Sequence, residues 1–195
     1  KTYDEVCADL ARALEACLAK PEVACAVLGA VQSPATLARI ALANGGTLGK
    51  VLLASKKLDN PEFPKAEVHT PVLLACDAAD ESAYMEERFG PITFVVRCAD
   101  TTSAIGLSER IVSTHGALTA GIYSTRAEVI EAMTAATWRA KVALSINLTG
   151  GVFVNQSSAF SDYHGTGGNP AANASYADSA FVANRFRVVQ RRYHV

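Results

Sequence analysis

The 195-residue chain contains no apolar run near the roughly 18 residues that span a bilayer, so no membrane-spanning helix is expected. It also lacks a prevailing sign of charge. Its formal net charge is −1, and no whole-chain field favours nucleic acid or an anionic membrane. The cysteines (Cys7, Cys17, Cys25, Cys76 and Cys98) are odd in number and never spaced C-x-x-C. That argues against a disulfide framework and a metal site. Thiols set mostly in apolar runs read instead as reduced, buried groups of a cytoplasmic protein. The sequons at Asn147, Asn155 and Asn173 have no secretory context and read as chance matches. No internal repeat or low-complexity segment is visible. The chain does not open on an initiator Met or a signal peptide, and it is expected to be a piece of a longer protein.

What is present is globular: 50% hydrophobic and 19% charged residues, in a length that supports one sizeable core. Residues 3–19 predict an amphipathic helix, with Val6, Leu10, Leu14 and Leu18 at helical spacing and Cys7 and Cys17 in its core. Residues 23–28 predict a short buried strand or a turn. Ser33 and Pro34 open a helix over 35–44 that Gly45-Gly46 ends. Strands are expected over 50–55 and 67–76, the second placed at an edge or a bulge by Pro71. His69 reads as a structural group. The run 92–98 is apolar enough for a strand covered on both faces. Further helices are expected from Asp100 to about Thr114 and over 126–139, with strands over 118–123, 142–148 and 152–154. This alternation predicts an α/β layered sheet with flanking helices, a core over 1–155 of a single domain. Residues 156–195 form its Gly-rich loop and terminal strand.

In that loop, His164-Gly165-Thr166-Gly167-Gly168-Asn169-Pro170 is not a P-loop, because the Lys-Ser/Thr ending is missing. It is not a dinucleotide fingerprint either, since no strand and acidic partner flank it. A structural loop is the plainer reading, and nothing in the sequence pairs His164 with a nucleophile. The β-prone tail, residues 181–195, reads as an exposed edge able to join a sheet in another subunit. Its arginines fit a nucleic-acid patch less well, because aromatic interleaving is thin.

One stretch concentrates chemistry. In Glu86-Glu87-Arg88-Phe89-Gly90-Pro91, two carboxylates and an aromatic ring meet a Gly-Pro turn that ends a helix begun near Glu81 and leads into a strand. A carboxylate at such a boundary can accept hydrogen bonds from the vicinal hydroxyls of a ribose, and Phe89 can wall a flat ring. The alternative is a solvated acidic helix end followed by a core Phe.

The hexapeptide resembles the Glu-Glu-x-Phe-Gly-Pro motif of the aldehyde dehydrogenase superfamily. The resemblance implies that Glu87 binds the nicotinamide ribose of NAD or NADP and that Phe89 packs beside the nicotinamide. Other pieces follow in the family's order. Tyr3-Asp4-Glu5 and its helix resemble the segment after the family's nucleophilic Cys. Leu118 to Ser124 resembles its Gly-Leu-x-x-x-Val-Phe-Thr strand, with Ala117 in place of the Gly. Gly150-Gly151-Val152-Phe153-Val154-Asn155 resembles its Gly-x-x-x-Val-Asn strand, and the last strand resembles its oligomerisation strand. The chain thus looks like the C-terminal, catalytic-domain half of such an enzyme.

Two departures refine the resemblance. The usual Phe-Gly-Gly-x-Lys stretch is replaced by residues 164–170, which, with Phe181-Val182-Ala183-Asn184-Arg185-Phe186, resemble the PaaN-like phenylacetate-degradation branch. That implies an aldehyde substrate, including a semialdehyde linked to coenzyme A, and a homo-oligomer. The nucleophilic Cys would lie upstream of Lys1, and none of the five Cys here has its context, so no catalytic residue is expected within these residues. The implied chemistry is thiolate attack on the aldehyde, hydride transfer and hydrolysis of a thioester, with the isolated segment inactive. A non-catalytic assembly domain is the alternative from a different class. A coenzyme-A-binding module of a bifunctional enzyme is a third reading.

Overall fold

The computed structural model describes residues 1–117, 119–142, 144–147 and the backbone of 191–193. The chain divides into two compact units, Lys1–Cys98 and Ala99–Val195.

The first unit opens with α1 (Tyr3–Cys17), held by a capping box in which Thr2 accepts from the Glu5 amide and Glu5 accepts from the Thr2 amide at 2.6 Å. Cys7 is buried on this helix. Cys17, expected in the core, is exposed in its last turn, and of the five thiols only Cys7 and Cys76 are buried. Residues 23–28 are not a strand or a turn. Residues 23–27 belong to a helix, α2 (Pro21–Val27), with Leu28 as its C-cap; Pro21 occupies its first turn, where its fixed φ is already helical and its missing N–H is no loss. Helix α3 (Pro34–Asn44) starts as expected: the Ser33 hydroxyl accepts from the Ala35 amide at 3.2 Å.

A three-stranded sheet follows in the order β1 (Lys50–Leu53), β4 (Val72–Asp77), β5 (Ile92–Arg97). The first pair is antiparallel and the second parallel. Two short strands, β2 (Lys57–Leu58) and β3 (Val68–His69), pair antiparallel beside it. Pro71 does not place its segment at an edge. It sits in the break between β3 and β4, and β4 is the central strand, buried from Val72 to Cys76. A proline just ahead of a strand removes no ladder bond from it. Ala43, Val72 and Leu74 form the core, with Leu48, Val51, Ile92 and Phe94 packed on it. Strand β5 is half-buried within this unit rather than covered on both faces, with Thr93 and Arg97 exposed. The Tyr3 hydroxyl ties α1 to it by donating to the Val95 carbonyl at 2.6 Å, and the Arg97 guanidinium lies 4.7 Å from the Tyr3 ring centre.

In the second unit α5 (Thr101–His115) is capped by Asp100, whose carboxylate accepts from the Ser103 amide at 2.7 Å. Then come β6 (Ala120–Ile122), α6 (Ala127–Ala140) and β7 (Leu144–Ile146). Met133, Leu144 and Ile146 are its core, packed with Ile105, Ala120, Ile122 and Ile130. The side chain of Asn147 joins the two strand ends: its Oδ1 accepts from the Ser124 amide and its Nδ2 donates to the Ser124 carbonyl, both at 2.9 Å. Arg191–Tyr193 forms β8, parallel to β7 of the same chain, in the order β6-β7-β8. The expected strand over 152–154, the Gly-rich loop with His164, and the rest of the tail lie outside the described residues. The architecture is a mixed α/β fold. No described helix is long and apolar enough to cross a membrane.

Candidate functional site

The helix begun at Glu81 is a single turn, α4 (Glu81–Tyr84), much shorter than the Gly-Pro stop implied. The reason lies in Arg88. Its Nη2 donates to the Ser82 carbonyl at 2.8 Å and its Nε to the Ala83 carbonyl at 3.3 Å, while Nη1 lies 3.5 Å from the Glu86 carboxylate. Helix-end carbonyls have no partner within the helix, so a guanidinium folded back on them stops the helix and ties down the segment that follows.

That segment is fixed again two residues on. The Phe89 carbonyl accepts from Arg39 Nε, on α3, at 2.9 Å. Gly90 then turns with φ +148°, a region that side chains rarely adopt, and brings the chain against Thr36. The Pro91 carbonyl accepts from the Val72 amide at 2.9 Å, which delivers the chain into β5 beside β4.

The backbone between α4 and β5 is therefore tied down at Arg88, Phe89 and Pro91, yet the two side chains of interest point away from the core. Glu87 is exposed, and Phe89 is 68% exposed. The alternative of a core Phe does not hold. Glu87 and Phe89 both line a cavity of about 390 Å³, together with Tyr84, Glu86, Arg88, Gly90, Ile92 and Phe94. Its volume falls in the roughly 300–1,000 Å³ range of small-molecule sites. Of its two carboxylates, Glu86 lies 3.5 Å from the Arg88 guanidinium, which leaves Glu87 and the aromatic rings to suit a ligand with a flat ring and a diol.

The structure thus brings Glu87 and Phe89 to one cavity. It leaves the thiols out. Cys76 lies in the central strand, its thiol pushed up by burial first and then by Asp80 and Asp77, which keeps it protonated and a poor nucleophile. His69 sits beside Glu67 at 3.6 Å, in another part of the unit. Sequence reasoning missed Thr36 and Arg39, which precede the hexapeptide by about fifty positions and carry no local signal beyond an ordinary helix face. A second cavity, about 410 Å³, lies in the second unit between Thr101, Tyr123, Arg126 and Met133, and among the described residues no carboxylate lines it.

Comparison with known proteins gives two findings. The model of the aldehyde dehydrogenase family matches residues 1–183. The crystal structure of an NAD-dependent aldehyde dehydrogenase from Burkholderia multivorans is similar over 100% of this chain and 35% of that one, with 51% sequence identity and a TM-score of 0.82. The chain therefore spans about a third of the length of that solved relative. A search of curated proteins finds no match.

Proposed function

The chain belongs to the aldehyde dehydrogenase family, and we propose that it is the C-terminal part of an enzyme that oxidises an aldehyde to an acid with NAD or NADP. The observation that carries this reading is the pairing of an exposed carboxylate and an exposed phenyl ring at one cavity, on a backbone held from both sides. The residues fit the group. Glu87 has no short-range hydrogen bond or ion pair among those described and is positioned to accept from a ribose diol. Phe89 offers a ring face that the core does not use. When bound, the dinucleotide accepts a hydride.

What this chain contributes is placement. Glu87 fixes the ribose, and Phe89 limits where the attached ring can lie and shields that end from water. Because the residues that follow Glu87 are anchored, little ordering is left to occur on binding, and the binding energy goes into orientation. The nucleophilic Cys belongs upstream of Lys1, and this segment alone carries out no turnover. The family supplies the reaction class. Motifs 164–170 and 181–186 support the narrower reading, a PaaN-like member acting on a semialdehyde related to or linked to coenzyme A, in a cytoplasmic homo-oligomer assembled through the tail strand.

The test uses the full-length polypeptide. Dinucleotide binding is followed by fluorescence, and cofactor reduction is followed with free aldehydes and with an aldehyde carried on a coenzyme A thioester. Reduction with either aldehyde class supports the dehydrogenase, and preference for the thioester supports the narrower reading. A full-length chain that neither binds nor reduces a dinucleotide leaves the assembly-domain reading in its place.

A further inference from the structure

We propose that Arg39 is a positioning residue of the cofactor site, acting with Thr36 as a clamp that holds the Glu87–Phe89 segment to α3. The inference rests on the reading of Glu87 and Phe89 as the dinucleotide-binding pair, and it adds a residue to which neither the motif nor the family match assigns a role.

The geometry is specific. Arg39 is half-buried in the second turn of α3. Its guanidinium spans two elements: Nε donates to the Phe89 carbonyl at 2.9 Å, and Nη2 donates to Thr36 Oγ1 at 3.3 Å. The second bond holds the guanidinium plane across one turn of its own helix, so the first has a defined direction. Thr36 is itself buried, 5% exposed, and its methyl stands 3.0 Å from where a side chain at Gly90 would begin. The residue after the phenylalanine is thus pressed on the helix while the phenylalanine carbonyl is bonded to it. A charged donor on a main-chain carbonyl forms a stronger and more directional hydrogen bond than a neutral pair. The Phe89 carbonyl has no strand partner of its own, so the arginine supplies what a sheet would otherwise supply. Arg88 performs the matching task at the α4 end. Glu87 lies in the short loop that Arg88 closes onto Ser82 and Ala83, just before the anchored Phe89.

Arg39 does not need to touch the cofactor for this. Its Nε and Nη2 bond to Phe89 and Thr36, and it does not line the cavity. Its effect on binding must therefore pass through the segment it holds.

The experiment uses the full-length polypeptide with Arg39→Met, Arg39→Lys, Glu87→Gln and the Arg39→Met/Glu87→Gln pair. Hydrogen exchange is read on a peptide covering residues 85–91, and the KM for NAD on the enzyme. Arg39→Met keeps the length of the side chain and removes the donors. It is expected to speed exchange in that peptide about tenfold with α1 and β4 unchanged. It is also expected to raise the KM for NAD about tenfold (~1.4 kcal/mol) and leave the KM for aldehyde within twofold. Arg39→Lys retains one charged donor and is expected to recover part of both effects. In the pair, the loss in NAD binding is less than the sum of the single losses, because the clamp acts through the residue already changed. Exchange unchanged within twofold overturns the clamp. Additive losses overturn the claim that it acts through Glu87. Faster exchange throughout the unit reduces Arg39 to a general structural role and overturns it as well. A wild-type chain that binds no dinucleotide refutes the dehydrogenase reading instead, and the exchange measurement, which needs no cofactor, then decides the clamp alone.

Discussion

Replacing Gly90 by alanine adds one carbon atom and tests the backbone account of the site. A Cβ built there stands 3.0 Å from Thr36 Cγ2 and 3.8 Å from Ile92 Cδ1. Carbon pairs are most favourable at about 3.5–4.0 Å, so the first contact is too close by roughly half an ångström or more. Thr36 cannot easily retreat. It is buried, its amide donates to the Ser33 carbonyl at 3.0 Å, and its hydroxyl holds Arg39. The chain at Gly90 also has φ +148°, which an alanine adopts at a cost on the order of 1–3 kcal/mol. Overpacking adds about 1 kcal/mol more when the neighbour is held. Together these predict a loss of ~2–4 kcal/mol for the native loop. The alternative open to the chain is to lift residues 89–91 off α3 and give up the Arg39 bond.

The assay is hydrogen exchange and urea unfolding of the full-length polypeptide, with NAD affinity measured in parallel. Gly90→Ala should weaken NAD binding and accelerate exchange around residues 85–91. Gly106→Ala is the internal control. It is the same chemical change on the exposed face of α5, where nothing lies within 4 Å of the added atom. There it should stabilise α5 by ~0.5–1 kcal/mol, through helix propensity and a less flexible unfolded chain, and leave NAD affinity alone. If Gly90→Ala matches the wild type within about 0.5 kcal/mol and binds NAD equally well, the reasoning is refuted.

Three further outcomes are expected. Glu87→Gln in the full-length enzyme should lower kcat more than it weakens cofactor binding, since an amide still bonds to one hydroxyl but places the ribose less firmly; unchanged steady-state rates count against the ribose assignment. Leu74→Ala removes a fully buried side chain at the centre of the first core and should destabilise it by about 3–5 kcal/mol in a urea titration. The Tyr3 hydroxyl is pushed up to about 12, chiefly by burial and then by its neighbour Cys7, whereas a tyrosine in the unfolded chain ionises near ~10. The native state thus keeps a proton that the unfolded state loses, so this contribution is intact below about pH 10 and is lost as the pH rises towards 12. Tyr3→Phe should flatten that alkaline decline in melting temperature and, at neutral pH, lose the bond to Val95, worth ~1 kcal/mol.

Where a local rule governed, the sequence was readable. Ser33-Pro34 opened α3, Asp100 capped α5, and the alternation from Ile92 onward produced strand, helix, strand, helix and strand. Misreadings came where a contact overrode the local signal. Residues 23–28 suggested a strand or a turn, but Pro21 just ahead of them opens a helix. Pro71 suggested an edge, yet the break it makes lies one residue before a central strand. α4 was read as running to Gly90 because only the Gly-Pro pair speaks in the sequence, while the true stop is Arg88 folding back on two carbonyls. The candidate site was half legible in the same sense. Glu87 and Phe89 are adjacent enough to form a motif, whereas Arg39 and Thr36 join them only when α3 packs beside β4.

The exposure of Phe89 constrains any account of this segment. Leaving a phenyl ring 68% open forgoes much of the ~1.5–3 kcal/mol that its burial would contribute. A slack loop would recover that energy by folding the ring onto the nearest apolar surface, and Ile92 and Phe94 line the same cavity. The ring stays out because the main chain on either side is not free to move: Arg88 holds the α4 end, Arg39 holds the Phe89 carbonyl, and Gly90 is pressed on Thr36. Hydrogen bonds to the backbone thus offset a hydrophobic loss at the side chain. That arrangement stabilises the fold no better than a buried Phe would. It keeps a ring and a carboxylate displayed at a cavity, which is useful when something else covers them.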